Sequence, residues 1–511
     1  MVGVQGTSDP NPQLLDAMAM CGRLVARDSV HWFLAEHRQR LFPDDLFADL
    51  FGSGRGRPSV PSDVIATVMV LQALEGLSDR DAIAQLRMNI AWKVAAGRPL
   101  HDEGFHPTVL TLWRNKLRAS DRPQRIFDAV REVIDATNVL AGKTRRALDS
   151  TVLDDAVTRQ DAIMQLVAQI RRVRRLVPEA KALELVAHDY DHDAGKPLCA
   201  WNDRADIDRV VTELVTDART ILAVLDGVEL DETQREAVGL LALVAGQDVE
   251  PGDSEGTWRV APVSRPDRMV SVHDPESRHV HKTNHNYRDG FKAHLGVEPD
   301  SGLITACELT AGNVGDAQAA PGLLTGEPEP VEVLADSAYG SGEFRHHLRQ
   351  HGHTATIKPI PLHTAIPDGF TTDDFRIDLA AMTATCPNGI TVAISARSRQ
   401  ARFTHRCHGC VVRDRCTQSA KGRILNVHDH HDLLAAARAH AHATAFTDSY
   451  RQHRPMVERS IAWLIQRGGR KVRYRGISRN RIGLAHRCAA INLRRLINLG
   501  LDWNNGWTLT T

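Results

Sequence analysis

The chain has 511 residues, more than one ordinary core accommodates, so roughly two to four domains are expected. Hydrophobic residues make up 42% of it and charged ones 25%, a globular balance that excludes a disordered or fibrous chain. With 63 basic and 63 acidic residues the formal net charge is zero, so only the distribution of charge can speak for or against a nucleic-acid partner. The opening MVGVQGTSDPNPQ lacks the basic-then-apolar pattern of a secretory signal, and apolar runs such as Leu240–Ala245 are far too short to span a membrane. Eight cysteines do not suggest a secreted disulfide framework, and Cys21, Cys199, Cys307 and Cys488 are expected as ordinary buried thiols. A cytoplasmic protein without a membrane partner is the expectation.

Residues 12–50 place apolar side chains at helical spacing, through Leu14, Leu15 and Met18, then Val30, Trp32 and Phe33. Gly52–Pro61 is turn-forming punctuation. A long apolar helix is predicted from Pro61 through Val64, Ile65, Val68, Leu71 and Leu74, stopping at Gly76. Ser78–Asp81 reads as the cap and first turn of the next helix. A third helix starts near Pro107–Thr108 and carries Leu110, Leu112, Trp113 and Leu117. Its Arg114, Lys116 and Arg118 are compatible with a DNA-binding helical domain, and equally with a plain bundle whose basic residues are solvated.

After Asp149 a helical insert runs to about Val249. Met164, Leu166, Ile170, Val173 and Leu176 suggest a helical hairpin or short coiled-coil arm, and Val210–Leu225 adds a second amphipathic stretch. From Arg288 the period becomes two: Phe291, Ala293, Leu295 and Val297, then Leu303, Thr305, Cys307 and Leu309, around the turn Glu298–Gly302. Val331–Ala335 reads as a buried strand, Phe344–Gln350 as a helix and Thr354–Pro359 as another strand. A second insert covers Pro361–Thr447, and helices follow from about Ser449 to Leu499. Strands interleaved with helices give an α/β core interrupted twice.

Glu458 is the only acidic residue between Arg451 and Gly500, among thirteen Arg and Lys. A lone carboxylate in so basic a field is either a structural ion pair or a metal ligand beside bound phosphates. Asp149 follows a possible strand in Thr144–Leu148, and Asp336 closes the apolar run ending at Ala335. Phosphoryl transfer with divalent metals needs carboxylates that converge from separate elements, with two ions about 4 Å apart in two-metal sites. Hard Mg²⁺ is held by a few carboxylates plus water and phosphate, so three acids suffice. Glu458 could reach such a crevice from a helix whose apolar face is Val457, Ile461, Leu464 and Ile465. Each acid also has a plain reading: a cap or turn former for the two Asp, and a pair with Arg454 for Glu458.

The contexts of the three acids are more specific. Leu148–Thr151 (LDST), Ala335–Ser341 (ADSAYGS) and Arg454–Gly476 (RPMVERSIAWLIQRGGRKVRYRG) resemble the three catalytic blocks of bacterial insertion-sequence transposases of the DDE kind. Asp289–Ala317 is similar to that family's hairpin and the Asn-x-x-Asp turn after it, and Leu77–Gly97 to its N-terminal helical domain. The resemblance implies an RNase H-like mixed sheet flanked by helices, with an all-α N-terminal domain. It implies a helical DNA-binding or dimerisation domain over 1–140 and a catalytic domain over 141–511, with inserts at 155–265 and 361–447. Asp149, Asp336 and Glu458 would be the ligands of Mg²⁺ or Mn²⁺. Arg454 matches the Arg that precedes the Glu in many relatives; Tyr450 is one residue out of the usual Tyr spacing, and Ile465 stands where relatives have Lys. Arg454, Arg467, Arg470, Lys471, Arg473 and Arg475 are therefore the candidate DNA contacts.

The activity implied is hydrolysis of a phosphodiester at a transposon end by metal-activated water, followed by attack of the freed 3′-hydroxyl on target DNA. Double-stranded DNA would be the substrate and a homodimer the working form, with no organic cofactor. Two other readings stay open: a DNA-binding protein that kept the fold without recombination, and a metal-dependent nuclease without end specificity.

Inside the second insert, Cys386, Cys407, Cys410 and Cys416 form C-x20-C-x2-C-x5-C, a spacing compatible with structural tetrahedral Zn²⁺ or with unliganded reduced thiols. The histidines at 273, 279, 281 and 285, and those at 428, 430, 431, 440 and 442, are expected to be solvated on loops. Asn313 and Asp316 are read as turn formers, and Trp463 as core.

Overall fold

The computed structural model describes residues 4–9, 15–52, 56–262, 267–283, 286–362 and 364–510. The N-terminal region is built of helices α1 (Val30–Leu41), α2 (Ser62–Glu75), α3 (Asp79–Met88), α4 (Ile90–Ala95), α5 (Thr108–Ala119) and α6 (Arg125–Ala136). Residues Ser62 to Gln72 of α2 are all buried, because that helix is apolar on every side and can only sit inside the bundle. It ends at Gly76, whose φ of 72° suits the left-handed position after a helix. The Ser78 hydroxyl accepts the Asp81 N–H to start α3, as the sequence indicates. Asn89, extended and capping Ala91 N–H, starts a separate helix α4. Two short strands, Val4–Gly6 and Pro58–Pro61, add a parallel pair to this mainly helical region. In α5, Arg114 pairs with Asp79 and Lys116 donates to the Leu50 carbonyl at 2.9 Å, so both cations face protein.

The sheet starts with β1 (Arg145–Asp154). The first insert follows, with α7 (Ala162–Leu176), α8 (Arg204–Val224) and α9 (Glu232–Gln247). The expected hairpin or arm is a closed bundle, because α9 covers the apolar faces of the other two and gives the insert its own core of Leu166, Ile170, Leu214 and Leu241. The chain returns through β2 (Met269–Ser271), β3 (Asp274–Thr283), β4 (Asn286–Glu298), β5 (Leu303–Ala311), α10 (Asp316–Leu324), β6 (Glu332–Ala335), α11 (Gly342–Gln350) and β7 (Thr354–Ile357). β4 runs antiparallel to β1 and to β5, whereas β6 is parallel to β1 and β7 parallel to β6. The order β5–β4–β1–β6–β7, with β3 on the first residues of β4 and β2 beside it, is the RNase H-like mixed sheet.

Gly290 sits where β4 leaves β3 and joins β1; its φ is 150°, and a Cβ there would lie 2.1 Å from the Leu153 carbonyl. Only glycine fits such a junction.

The second insert carries β8 (Arg376–Asp378), β9 (Thr383–Thr385), β10 (Thr391–Ala393), β11 (Gln400–Arg402) and β12 (Ile424–Asn426). Helices α12 (His431–His440), α13 (Thr444–His453), α14 (Pro455–Ile465) and α15 (Ile477–Asn498) lead out of it, and a terminal hairpin pairs Leu501–Trp503 with Trp507–Leu509. Helices α10 and α11 cover one face of the sheet over Leu148, Val333, Tyr339 and Phe344. The other face shares one continuous core with α14, α15 and the N-terminal helices, through Ala147, Leu295, Leu334, Val457, Leu493 and Val68.

Helix α15 is anchored at both ends to the sheet. Asp274 and Glu276 of β3 accept the N–H groups of Gly476 and Ile477, at 3.1 and 2.9 Å, satisfying the helix start. Near the far end the fully buried Asn492 accepts Ile304 N–H and donates to Ile304 C=O, both at 2.8 Å, standing in for a neighbouring strand. Among the described residues no helix is long and apolar enough to cross a membrane. Asn492→Leu leaves two buried backbone groups of β5 unpaired and is expected to cost about 1–3 kcal/mol. Denaturant unfolding measures this; an unchanged midpoint would show that Ile304 finds other partners.

Candidate active site

Asp149 lies in the middle of β1, paired with Leu295 of β4, and not after the end of the strand as expected. The strand runs on to Asp154 because β4 supplies partners along the whole second half of β1. Side chains alternate along a strand, so Asp149 shares the face of Ala147, which packs toward α14 and α15. The parallel ladder of β1 and β6 ends with Ala147 opposite Leu334. Asp336 follows the last residue of β6 in phase with Leu334, and its charge is felt at Asp149. Asp336 also caps the turn Ser337–Tyr339, accepting Ala338 N–H at 2.9 Å. Its plain role as a cap and its influence on Asp149 coexist.

Glu458 stands in the first turn of α14, behind Pro455, with its side chain 64% exposed. Val457 and Leu464 are buried, with Ile461 and Ile465 partly so, as the sequence pattern requires. Between the acids lies Arg454, only 3% exposed. Its guanidinium reaches Asp149 at 3.1 Å and Glu458 at 3.3 Å. A buried cation is tolerated only when paired, and two carboxylates meet that demand. Burial pushes the Asp149 carboxyl above its ordinary value; Arg454 and the Ser150 N–H pull it back down, and the charge of Asp336 adds to the rise. Glu458 is thus an ion-pair partner, and shares its cation with Asp149. Among the described residues no group of three or more His, Cys, Asp or Glu is gathered tightly enough to hold a metal ion. The oxygen donors are of the type a hard divalent cation takes, but here Arg454 supplies the positive charge among them.

A cleft of about 500 Å³ opens beside Glu458, lined by Lys358, Phe446, Tyr450, Arg451 and Arg454. The Lys358 ammonium lies 4.6 Å from the centre of the Tyr450 ring. Sequence reasoning passed over Lys358; its one signal is its position directly after strand β7, at the edge of the sheet where Asp336 follows β6.

The basic segment after α14 pairs in parallel with the end of β1: Val472 N–H donates to Asp154 C=O, and Asp154 N–H to Arg470 C=O, both at 2.8 Å. Arg470 is half-buried and donates to Thr151 Oγ1 at 3.1 Å. Arg467, Lys471, Arg473 and Arg475 are exposed. Arg467 donates to Leu74 C=O at 3.5 Å and Arg473 to Gly76 C=O, so this loop docks on the C-terminal end of α2. A Cβ on Gly76 would stand 2.1 Å from the Arg467 carbonyl. Arg454, expected among the DNA contacts, is turned inward to the carboxylates instead.

The histidine clusters meet expectation in part, with His440 and His442 exposed. His279 lies on strand β3, its Nδ1 2.5 Å from Asp289 Oδ1, because β4 pairs with a run whose own polarity looks like loop. His285 and the side chain of His281 lie outside the described residues, and His273 is exposed. In the second cluster His430 stacks on His346 at 4.3 Å, and His428 faces Glu343 at 3.1 Å, so these two are half-buried between elements. Asn313 bonds Asp267, and Asp316 begins α10 and pairs with Lys292 at 3.1 Å. Trp463 is partly buried against the core with Arg494 and Arg495 over its ring. Of the four scattered cysteines only Cys488 is buried; Cys21, Cys199 and Cys307 are partly exposed. The other four line one small cavity in the second insert.

Comparison with known proteins agrees with this geometry. A family model of the transposase DDE domain matches residues 261–493, which contain Asp336 and Glu458 but not Asp149. A second, described as a transposase domain, matches residues 26–116. A transposase for insertion sequence element IS1106 from Neisseria meningitidis serogroup B is 33% identical over 78 residues, which are 15% of this chain and 26% of that relative. The chain therefore spans about a quarter of the length of that relative in the matched region. No solved structure matches. With two transposase matches that together span more than half of its length, on an RNase H-like sheet, the chain belongs to the DDE transposases of insertion-sequence elements.

Proposed function

We propose that the protein is an active transposase, which cuts double-stranded DNA at the ends of its element and joins the freed 3′-hydroxyls to target DNA. The observation that supports this reading is the buried Arg454, which ties Asp149 of β1 to Glu458 of α14, with Asp336 directly after β6, the parallel neighbour of β1. A pure DNA binder gains nothing from carboxylates aimed at phosphates. Mg²⁺ or Mn²⁺ held by Asp149, Asp336 and Glu458 would supply the Lewis-acid charge that phosphoryl transfer needs.

The chain's own residues do the rest. Arg454 holds the Asp149 and Glu458 side chains toward each other, so in this reading it positions the acids and does not grip DNA. Arg467, Lys471, Arg473 and Arg475 offer exposed cations to the phosphate backbone, with Arg470 behind them tying the loop to β1. Residues 1–140 serve DNA binding or dimerisation, and 141–511 the chemistry, with a homodimer bringing two ends together. The docking of the basic loop on α2 supports communication between the two parts.

Asp149→Asn, Asp336→Asn and Glu458→Gln are each expected to lower end cleavage and strand transfer by at least about 10²–10³-fold, while binding to end DNA persists. Full activity in any of them removes that residue from the site. Equal cleavage of random DNA by the wild type would instead indicate a nuclease without end specificity, and tight end binding with no cleavage in Mg²⁺ or Mn²⁺ a binding protein.

Two further variants separate grip from positioning. Replacing Lys471 and Arg475 by Ala should shallow the salt dependence of DNA binding, by about 0.9 in log–log slope for each phosphate that is no longer neutralised. Arg454→Ala should leave that slope unchanged and still lower turnover; a shallower slope would put Arg454 back on the DNA.

A further inference from the structure

The second insert has a small core of its own, centred on Phe375, Ala384, Ile394, Phe403, Leu425 and Val427. It is built from a three-stranded and a two-stranded antiparallel sheet of three residues per strand. Modules of this size rarely bury enough apolar area to hold a unique fold and use a staple, either disulfides or a metal. All four cysteines of the insert are free thiols, and all four line a single cavity of about 20 Å³, room for one ion or one water. Cys407 and Cys416 are each only 8% exposed.

The four cysteines come to the cavity from three separate segments. Cys386 opens the turn that joins β9 to β10: its N–H donates to Ile390 C=O at 2.9 Å, and Gly389 N–H donates back to Cys386 C=O at 2.8 Å. Cys407 and Cys410 flank a tight turn in which Gly409 takes a φ of 71° and Cys410 N–H donates to Cys407 C=O at 3.4 Å. Cys416 ends the short turn Arg413–Arg415. The Arg423 N–H donates to the Cys407 sulfur at 3.5 Å. Arg406, Arg413 and Arg423 also border the cavity.

We propose that Cys386, Cys407, Cys410 and Cys416 form a closed structural site for one Zn²⁺, separate from the carboxylates and independent of the function assigned to them. Four sulfur donors from three segments satisfy the tetrahedral preference of zinc and leave no open position for chemistry. In the described structure the sulfurs border the cavity without closing on one point. Closure asks only for cysteine side-chain rotations and loss of the thiol protons as the metal enters. No electron transfer is involved. The site sits in the module that holds α12 through the paired Asp373 and Arg438, and α12 leads through α13 to the helix of Glu458.

The test uses the full chain purified under reducing conditions and dialysed against metal-free buffer. Elemental analysis should find one zinc per chain, retained in Asp149→Asn. Exchange with Co²⁺ should give the intense near-ultraviolet thiolate-to-cobalt band and visible bands of a tetrahedral site. Cys407→Ser and Cys410→Ser should lose the zinc; should they fail to fold, zinc content and the cobalt spectrum of the wild type still decide. Zinc well below one per chain with all eight thiols titrating under native conditions, or a disulfide among the four cysteines in the reduced preparation, would overturn the proposal.

Discussion

Strand β1 is hydrogen-bonded on both edges, antiparallel to β4 and parallel to β6, and the rest of the mixed sheet hangs from that double pairing. A shift of one residue in the ladder with β6 would send Leu334 and everything in phase with it to the opposite face. The register is held because each face is buried: Leu148 and Val333 toward α10 and α11, Ala147 and Leu334 toward α14 and α15. The two aspartates inherit their relation from these apolar neighbours. Hydrophobic packing thus sets the position of the acids, and the acids need not stabilise the fold themselves.

Charge organises the next layer. Arg454 is buried between Asp149 and Glu458, where an unpaired guanidinium would be costly and an unpaired carboxylate cluster would repel itself. The outer cations are arranged differently. The loop bearing Arg467, Arg470, Lys471 and Arg473 pairs with the end of β1 on one side and rests on the carbonyl end of α2 on the other. Gly76 makes that approach possible, since any side chain there would meet the Arg467 carbonyl. The same loop therefore presents cations to solvent and ties the N-terminal helices to the strand of Asp149. The continuous core under it, shared by Val68, Val457 and Leu493, gives the tie a rigid base.

The two inserts solve the problem of a small core in different ways. The first has three helices long enough to bury a wide apolar face against one another, and it needs nothing else. The second has strands of only three residues around a smaller core, and its four cysteines line one cavity beside that core. Both leave the sheet order undisturbed, one entering after β1 and the other after β7.

Much of this was legible in the linear chain where local physics decides. Helix α2 and its stop at Gly76, the Ser78 cap, the β4–β5 hairpin and the strand before Asp336 all follow from periodicity, capping and turn chemistry, which act over a few residues. The motifs around the three acids also identify the family before any contact is known. Other features have no local signal. The length of β1 past Asp149 and the strand character of the run with His279 come from pairing with β4, and the bundle of the first insert from a helix remote in sequence. The inward turn of Arg454 is of the same kind, since the partner that buries it, Asp149, is some three hundred residues away. By itself the sequence determined which residues carry charge and where short elements begin and end. Only the tertiary structure decided which charges meet, because burial and register are properties of surfaces that distant segments make together.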